Sequence, residues 1–135
     1  MITPGKFMAL NMVLMVVAIY IAAAVIGEGN RALGWVGIGA ICYFWTSLVL
    51  YTNWFLWDAP LEKASEADLR AILHEWTWKG PYGRNKGHWS QVMASSDREK
   101  KSRAYERLAA IHEGLLRFQP ENKQLQDDLA RYRRG

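Results

Sequence analysis

Two apolar runs dominate the pattern of the chain. Phe7–Ile26 and Leu33–Trp57 contain no Asp, Glu, Lys or Arg. At 1.5 Å of rise per residue, either run is long enough as a helix to cross a hydrocarbon core of about 30 Å. Between them, Gly27-Glu28-Gly29-Asn30-Arg31-Ala32 holds the only two charges of the 7–57 stretch. The pattern predicts a transmembrane hairpin over 1–57, with helix 1 at about 7–26 and helix 2 at about 33–57. Pro4 and Gly5 place Met1–Lys6 outside the helix. The remaining 58–135 are too few and too polar to wrap two such helices as a soluble core, so the expected fold class is an all-α membrane protein with a small, water-facing helical tail.

Polarity and period change together after Trp57. Asp58-Ala59-Pro60 ends the span, and Ser65-Glu66-Ala67-Asp68 has the form of a capping box. Leu69, Ile72, Leu73 and Trp76 then recur at i, i+3, i+4 and i+7, one apolar stripe of a helix to about Trp78. Residues 79–89, with three glycines and a proline, predict a loop. Ser96-Asp97-Arg98-Glu99 reads as a second capping box, opening a helix to about Phe118 with Tyr105, Leu108, Ile111, Leu115 and Phe118 on one face. Pro120 breaks it. A last helix presents Leu125, Leu129 and Tyr132, with Arg131, Arg133 and Arg134 at its carboxyl end, where cations suit the helix dipole. Three narrow stripes make a modest independent core, so the tail is expected to cover them against the membrane or another protein.

Charge adds orientation. The chain has 17 basic and 13 acidic residues, net +4, yet its first 57 residues hold only Lys6, Glu28 and Arg31. Arg31 stands alone in the turn, whereas Lys6, Lys63 and Arg70 flank the other ends of the spans. Positive residues stay inside, which predicts cytoplasmic termini, and the expected location is a bacterial inner membrane. The interspersed signs of the tail do not demand a nucleic-acid partner. Ala22-Ala23-Ala24 resembles a signal-peptide cleavage site, but the weak basic start, the long apolar run and the second span favour an uncleaved anchor. The single cysteine, Cys42, offers no disulfide framework and is expected to pack as a small residue.

Candidate contact residues fall into two groups. Ala18, Ala22, Ala23, Gly27, Gly34 and Gly37 are small residues at spacings that let another helix approach, within the hairpin or from a partner subunit. Trp35, Trp54 and Trp57 suit the aromatic belts of the two membrane interfaces. Trp76, Trp78, Lys79, Tyr82, Arg84, Lys86 and Trp89 place rings and cations around the loop, which fits anionic lipid or an acidic partner surface. Asn11 is the one strongly polar side chain deep in a span.

Catalytic and cofactor chemistry is not legible. The spans hold no ionisable group for a proton relay or a histidine-ligated haem. His74-Glu75 begins like a zinc-protease motif, but position 78 is Trp rather than the paired histidine. The Gly-rich loop lacks the P-loop spacing. His112, beside an apolar face, reads as a core residue. A tetratricopeptide register ending at Pro120 fails, because Val92, Ser95, Ser96 and Glu99 occupy its signature positions. No cofactor, metal or catalytic residue is expected, and no small-molecule substrate is specified. The function expected is a non-catalytic accessory, anchoring or assembly subunit of a larger membrane complex. The alternatives are a membrane-surface enzyme or lipid- and anion-binding protein using the loop, and a holin-like self-assembling protein.

Overall fold

A computed structural model describes residues 1–80 and 87–135. Six α-helices and no β-strand occur among the described residues: α1 Pro4–Ile26, α2 Arg31–Asn53, α3 Glu66–Thr77, α4 His88–Ala94, α5 Arg98–Phe118 and α6 Lys123–Arg134, with a π-helical turn at Trp54–Asp58. The chain divides into two compact units, Ile2–Phe55 and Leu56–Gly135 together with Met1.

The first unit is a helical hairpin, and both its helices are long and apolar enough to cross a membrane. α1 starts three residues before the expected Phe7. Thr3 is its N-cap, with the hydroxyl accepting from Lys6 N at 3.3 Å, and Pro4 occupies the first turn. Proline is tolerated there because its missing N–H would have no partner in any case. α2 likewise opens earlier than Leu33, at Arg31, because the Asn30 side chain accepts from Ala32 N at 2.9 Å. Its regular part ends at Asn53, and the stretch to Trp57 widens into the π-turn. Gly27 and Gly29 reverse the chain at φ of 95° and 81°, a region that favours glycine.

The seam of the hairpin follows a seven-residue repeat. On α2 the residues of reduced exposure include Leu33, Gly37, Ala40, Phe44, Ser47 and Tyr51, alternating steps of four and three. On α1 they include Phe7, Asn11, Met15, Ile19, Ala22 and Ala23. Phe7 stacks on Tyr51 with ring centroids 4.0 Å apart. Asn11, only 8% exposed, donates from Nδ2 to Ser47 Oγ at 3.2 Å, and the Ser47 hydroxyl donates to Phe44 O at 3.0 Å. Asn11 therefore faces the partner helix, where an amide in an apolar medium finds an acceptor.

The small residues do not act as a set. Ala22 and Ala23 are half-buried, whereas Ala18, Gly27 and Gly34 are exposed. A Cβ added at Gly27, Gly34 or Gly37 would meet nothing within 4 Å. Close backbone approach inside the hairpin therefore does not use these glycines. Cys42 is exposed on α2, and the expectation that it packs as a small residue does not hold within the hairpin.

The second unit has its own core, which corrects the expectation that its stripes need an outside cover. Leu69, Ile72 and Trp76 of α3, Val92 of α4, and Ala104, Leu108, Ile111 and Leu115 of α5 are buried, and Leu129 of α6 joins them. The stripes are narrow because each faces another stripe. α3 packs closely on α5 at Gly114, where a Cβ would lie 3.0 Å from Leu69 Cδ1. The Ser65 capping box forms in full: Asp68 N donates to Ser65 Oγ at 3.2 Å, and Ser65 N to Asp68 Oδ2 at 3.4 Å. The second box does not form, and the cap falls one residue later. Asp97, not Ser96, caps α5 and accepts from Lys100 N at 3.1 Å. α6 is capped by Asn122, which accepts from Leu125 N.

Candidate functional site

The described chemistry of the tail gathers at the end of its core, around Trp57, Trp76, His88 and Arg107. Trp76 lies on the buried stripe of α3 and is 0% exposed; its Nε1–H donates to Leu56 O at 3.0 Å. Arg107, one turn into the apolar stretch of α5, donates from Nε to the same carbonyl at 2.7 Å and from Nη2 to Ala59 O at 2.9 Å. Carbonyls at the carboxyl end of a helix lack intrahelical donors and carry partial negative charge. An indole N–H and a guanidinium supply the missing donors here. Burial lowers the Arg107 pKa and nearby Asp58 raises it; a guanidinium stays charged in either case.

Rings close over this cluster. Trp57 meets Trp76 edge-on at 4.9 Å, and His88 meets Trp76 at 4.9 Å and Trp57 at 5.7 Å. The Arg103 guanidinium sits 5.1 Å from the Trp57 ring centre, in cation–π range. Gly87 makes the arrangement possible. Its N–H donates to Trp78 O at 2.6 Å, and a Cβ at this position would lie 2.6 Å from Trp76 O and 2.9 Å from Trp78 N.

His88 is the chemically distinctive member. Its Nε2 is buried with no hydrogen-bond partner. Burial, and secondarily the positive charge of Lys100, hold the imidazole below its ordinary pKa of 6.5. A lowered folded pKa means that the unfolded chain binds the extra proton more readily. The contribution of neutral His88 is thus complete above about pH 6.5 and is lost as pH falls below that value toward the folded pKa. The tail is expected to melt at a lower temperature at pH 5 than at pH 7.5, and His88→Phe should flatten that dependence. Equal pH profiles for the two proteins, followed by near-ultraviolet circular dichroism, would remove His88 from this role.

A second ring cluster ties the last helices together. Trp89 of α4 packs edge-on against Tyr105 at 4.9 Å and Tyr132 at 5.2 Å, and His112 faces Tyr132 at 5.1 Å. His112 is buried, and its Nδ1–H donates to Leu108 O at 2.7 Å. Burial is the main cause that raises the Tyr132 pKa.

The predicted contact residues therefore separate. Trp76 is inside the core with its one polar atom used, so its assignment to lipid or partner contact is corrected: the indole is enclosed between Leu56 O, Trp57 and His88 rather than set at a surface. Trp57, Trp78 and Trp89 are half-buried, Lys79 is exposed, and Trp35 and Trp54 are exposed on the hairpin. Tyr82, Arg84 and Lys86 lie outside the described residues. Residues 88 and 89, assigned to the loop, instead open α4. Sequence reasoning missed Arg107 and Gly87. Arg107 carried a signal, a cation one residue before Leu108 of an apolar stripe; Gly87 was one glycine of several.

His74 is exposed on α3, while His88 Nε2 is enclosed. No group of three or more metal-ligating side chains occurs among the described residues. Comparison with known families, with curated proteins and with solved structures finds no match.

Proposed function

We propose that the protein is a non-catalytic anchoring or assembly subunit of a larger integral-membrane complex, held in the bilayer by the α1–α2 hairpin with both termini cytoplasmic. The observation that carries this reading is the hairpin's outer surface. Tyr20 and Val25 of α1 and Trp35 and Tyr43 of α2 are each at least 70% exposed, while the polar Asn11–Ser47 pair is turned inward and satisfied. Such a surface is far too apolar for water, and lipid or neighbouring helices cover it. The basic flanks Lys6, Lys63 and Arg70, set against the single Arg31 of the turn, support the orientation. The membrane proposed is a bacterial inner membrane.

A subunit, rather than a lone anchor, is favoured by rings at mid-span depth. Tyr43 and Trp45 project from the middle of α2 with 70% and 58% exposure, away from the interfacial depth where such amphipathic rings ordinarily sit. A neighbouring helix that offers an acceptor to the Tyr43 hydroxyl accounts for that placement.

The test is gentle extraction followed by native mass spectrometry. A stoichiometric membrane partner is expected, and Tyr43→Leu together with Trp45→Leu, which keep the span apolar, should deplete it at least fivefold. Recovery of the unaltered protein as a lone monomer, or as a large homo-oligomer, would overturn the subunit reading. Labelling of cysteines placed at positions 29 and 130 in intact cells decides the orientation; labelling of 130 alone from outside reverses it.

A further inference from the structure

The end of the tail where α5 begins and α6 finishes carries a charge arrangement that helix stability does not call for. Arg98, Lys100, Lys101 and Arg103 crowd the first two turns of α5, opposed there by Asp97 and Glu99. The amino end of a helix is its positive end, where cations are unfavourable. Arg98 and Lys101, and again Lys100 and Arg103, are also like charges three residues apart on one helix face. The last turn of α6 adds Arg131, Arg133 and Arg134.

We propose that this end of the tail binds a phosphate-bearing anion, either a phospholipid headgroup or a free phosphate compound. Two open clefts meet at the half-buried Tyr132. Arg98, Lys101 and Arg133 line one, and Arg131 and Arg134 line the other together with the rings of Trp89 and Tyr105. Glu106 is the side-chain carboxylate of the first cleft, and Gly135 lines both clefts. Arg131 pairs with Asp128, and Arg133 with Glu113. No ion pair among the described residues engages Arg98, Lys101 or Arg134. Cations on both sides of an amphipathic ring suit a ligand with several charged oxygens, because charge-assisted N–H···O bonds reach it from more than one direction. This assignment does not rest on the subunit reading, since it needs no partner chain.

The test uses the full chain in neutral maltoside micelles, titrated with dioctanoyl phosphatidylglycerol, dioctanoyl phosphatidylcholine and inorganic pyrophosphate by calorimetry. Each basic residue near an anionic surface contributes about a fivefold gain in affinity at low salt. The triple variant R98Q/K101Q/R134Q is thus expected to lose about 100-fold, and its tail should melt at the same or a higher temperature because crowded cations have left the positive end of α5. Loss of phosphatidylglycerol affinity with no pyrophosphate binding assigns a lipid headgroup. Loss of affinity for both anions assigns the phosphate group itself. Wild-type binding that is unchanged between low and physiological salt, or a folded variant within twofold of wild type for both anions, overturns the site. Phosphatidylcholine bound as tightly as phosphatidylglycerol does so too.

Discussion

Replacing Trp76 by Ala is expected to lower the melting temperature of the tail by about 20–40 °C while leaving α1 and α2 helical. Phe or Trp truncation in a core costs about 3–5 kcal/mol, through lost transfer energy and the cavity left behind. A unit the size of Leu56–Gly135 has a stability of roughly 4–12 kcal/mol, and 1 kcal/mol moves its midpoint by about 4–8 °C. Trp76 reaches the top of that range for a reason of position. It is fully buried, two rings pack on it edge-on, and its N–H satisfies Leu56 O. Trp76→Phe separates these contributions. It keeps most of the apolar volume and removes the donor, and Leu56 O still accepts from Arg107, so a loss of about 1–2 kcal/mol is expected. Thermal unfolding in detergent, followed through the near-ultraviolet signal of the tail, measures both. A Trp76→Ala tail that melts within 5 °C of the original would show that the indole is not the centre of this core.

Trp76 also marks where sequence reasoning ran out. Its place on a stripe with Leu69 and Ile72 was plain from the spacing, and the helix and its capping box follow from residues 65–78 alone. Which surface the stripe meets was not plain, because the covering residues, Ala104 to Leu115, stand about thirty positions later and a stripe carries no mark of its partner. An indole also suits an interface as well as a core, having an apolar body and one donor, and near a span end the interface was the natural reading. The hairpin is the opposite case. Two uncharged runs and a short turn leave little choice of architecture, so both helices and their approximate ends were legible. The ends themselves moved by a few residues where a cap decided them: Thr3 and Asn30 each accept a backbone N–H that no hydropathy pattern records.

The polar pair in the hairpin was legible in principle. Asn11 and Ser47 lie at nearly equal separations from the Gly27–Asn30 turn, as do Phe7 and Tyr51, so an antiparallel hairpin brings each pair together once the turn is fixed. Read singly, Asn11 was only the one strongly polar side chain deep in a span. The aromatic cluster was not legible in that sense. Its geometry depends on α4, whose seven residues offer a weak periodic signal, and on the passage of one backbone against another at Gly87.

Gly87→Ala is accordingly the substitution expected to have the largest effect for its size. The φ of Gly87 is −62°, which any residue adopts, so backbone conformation does not require glycine here. Space does. The added methyl would lie 2.6 Å from Trp76 O, 2.8 Å from Trp76 C and 2.9 Å from Trp78 N, all backbone atoms at the end of α3 that cannot swing aside as a side chain would. Relief requires Gly87 to withdraw, which breaks the 2.6 Å bond from its N–H to Trp78 O and draws His88 off the Trp76 ring. Overpacking of this kind costs about 1–3 kcal/mol, and loss of a buried backbone hydrogen bond adds about 1 kcal/mol. A fall of about 10–20 °C in the tail midpoint follows. Amide exchange distinguishes the cause. Protection at Gly87 and through α4 should drop towards the exposed limit, while α5 and α6, joined where Tyr132 meets Tyr105 and His112, keep more of theirs. Full retention of the Gly87 amide in the alanine variant, with an unmoved midpoint, would mean that α3 yields at its end and that the close passage is not what holds α4 in place.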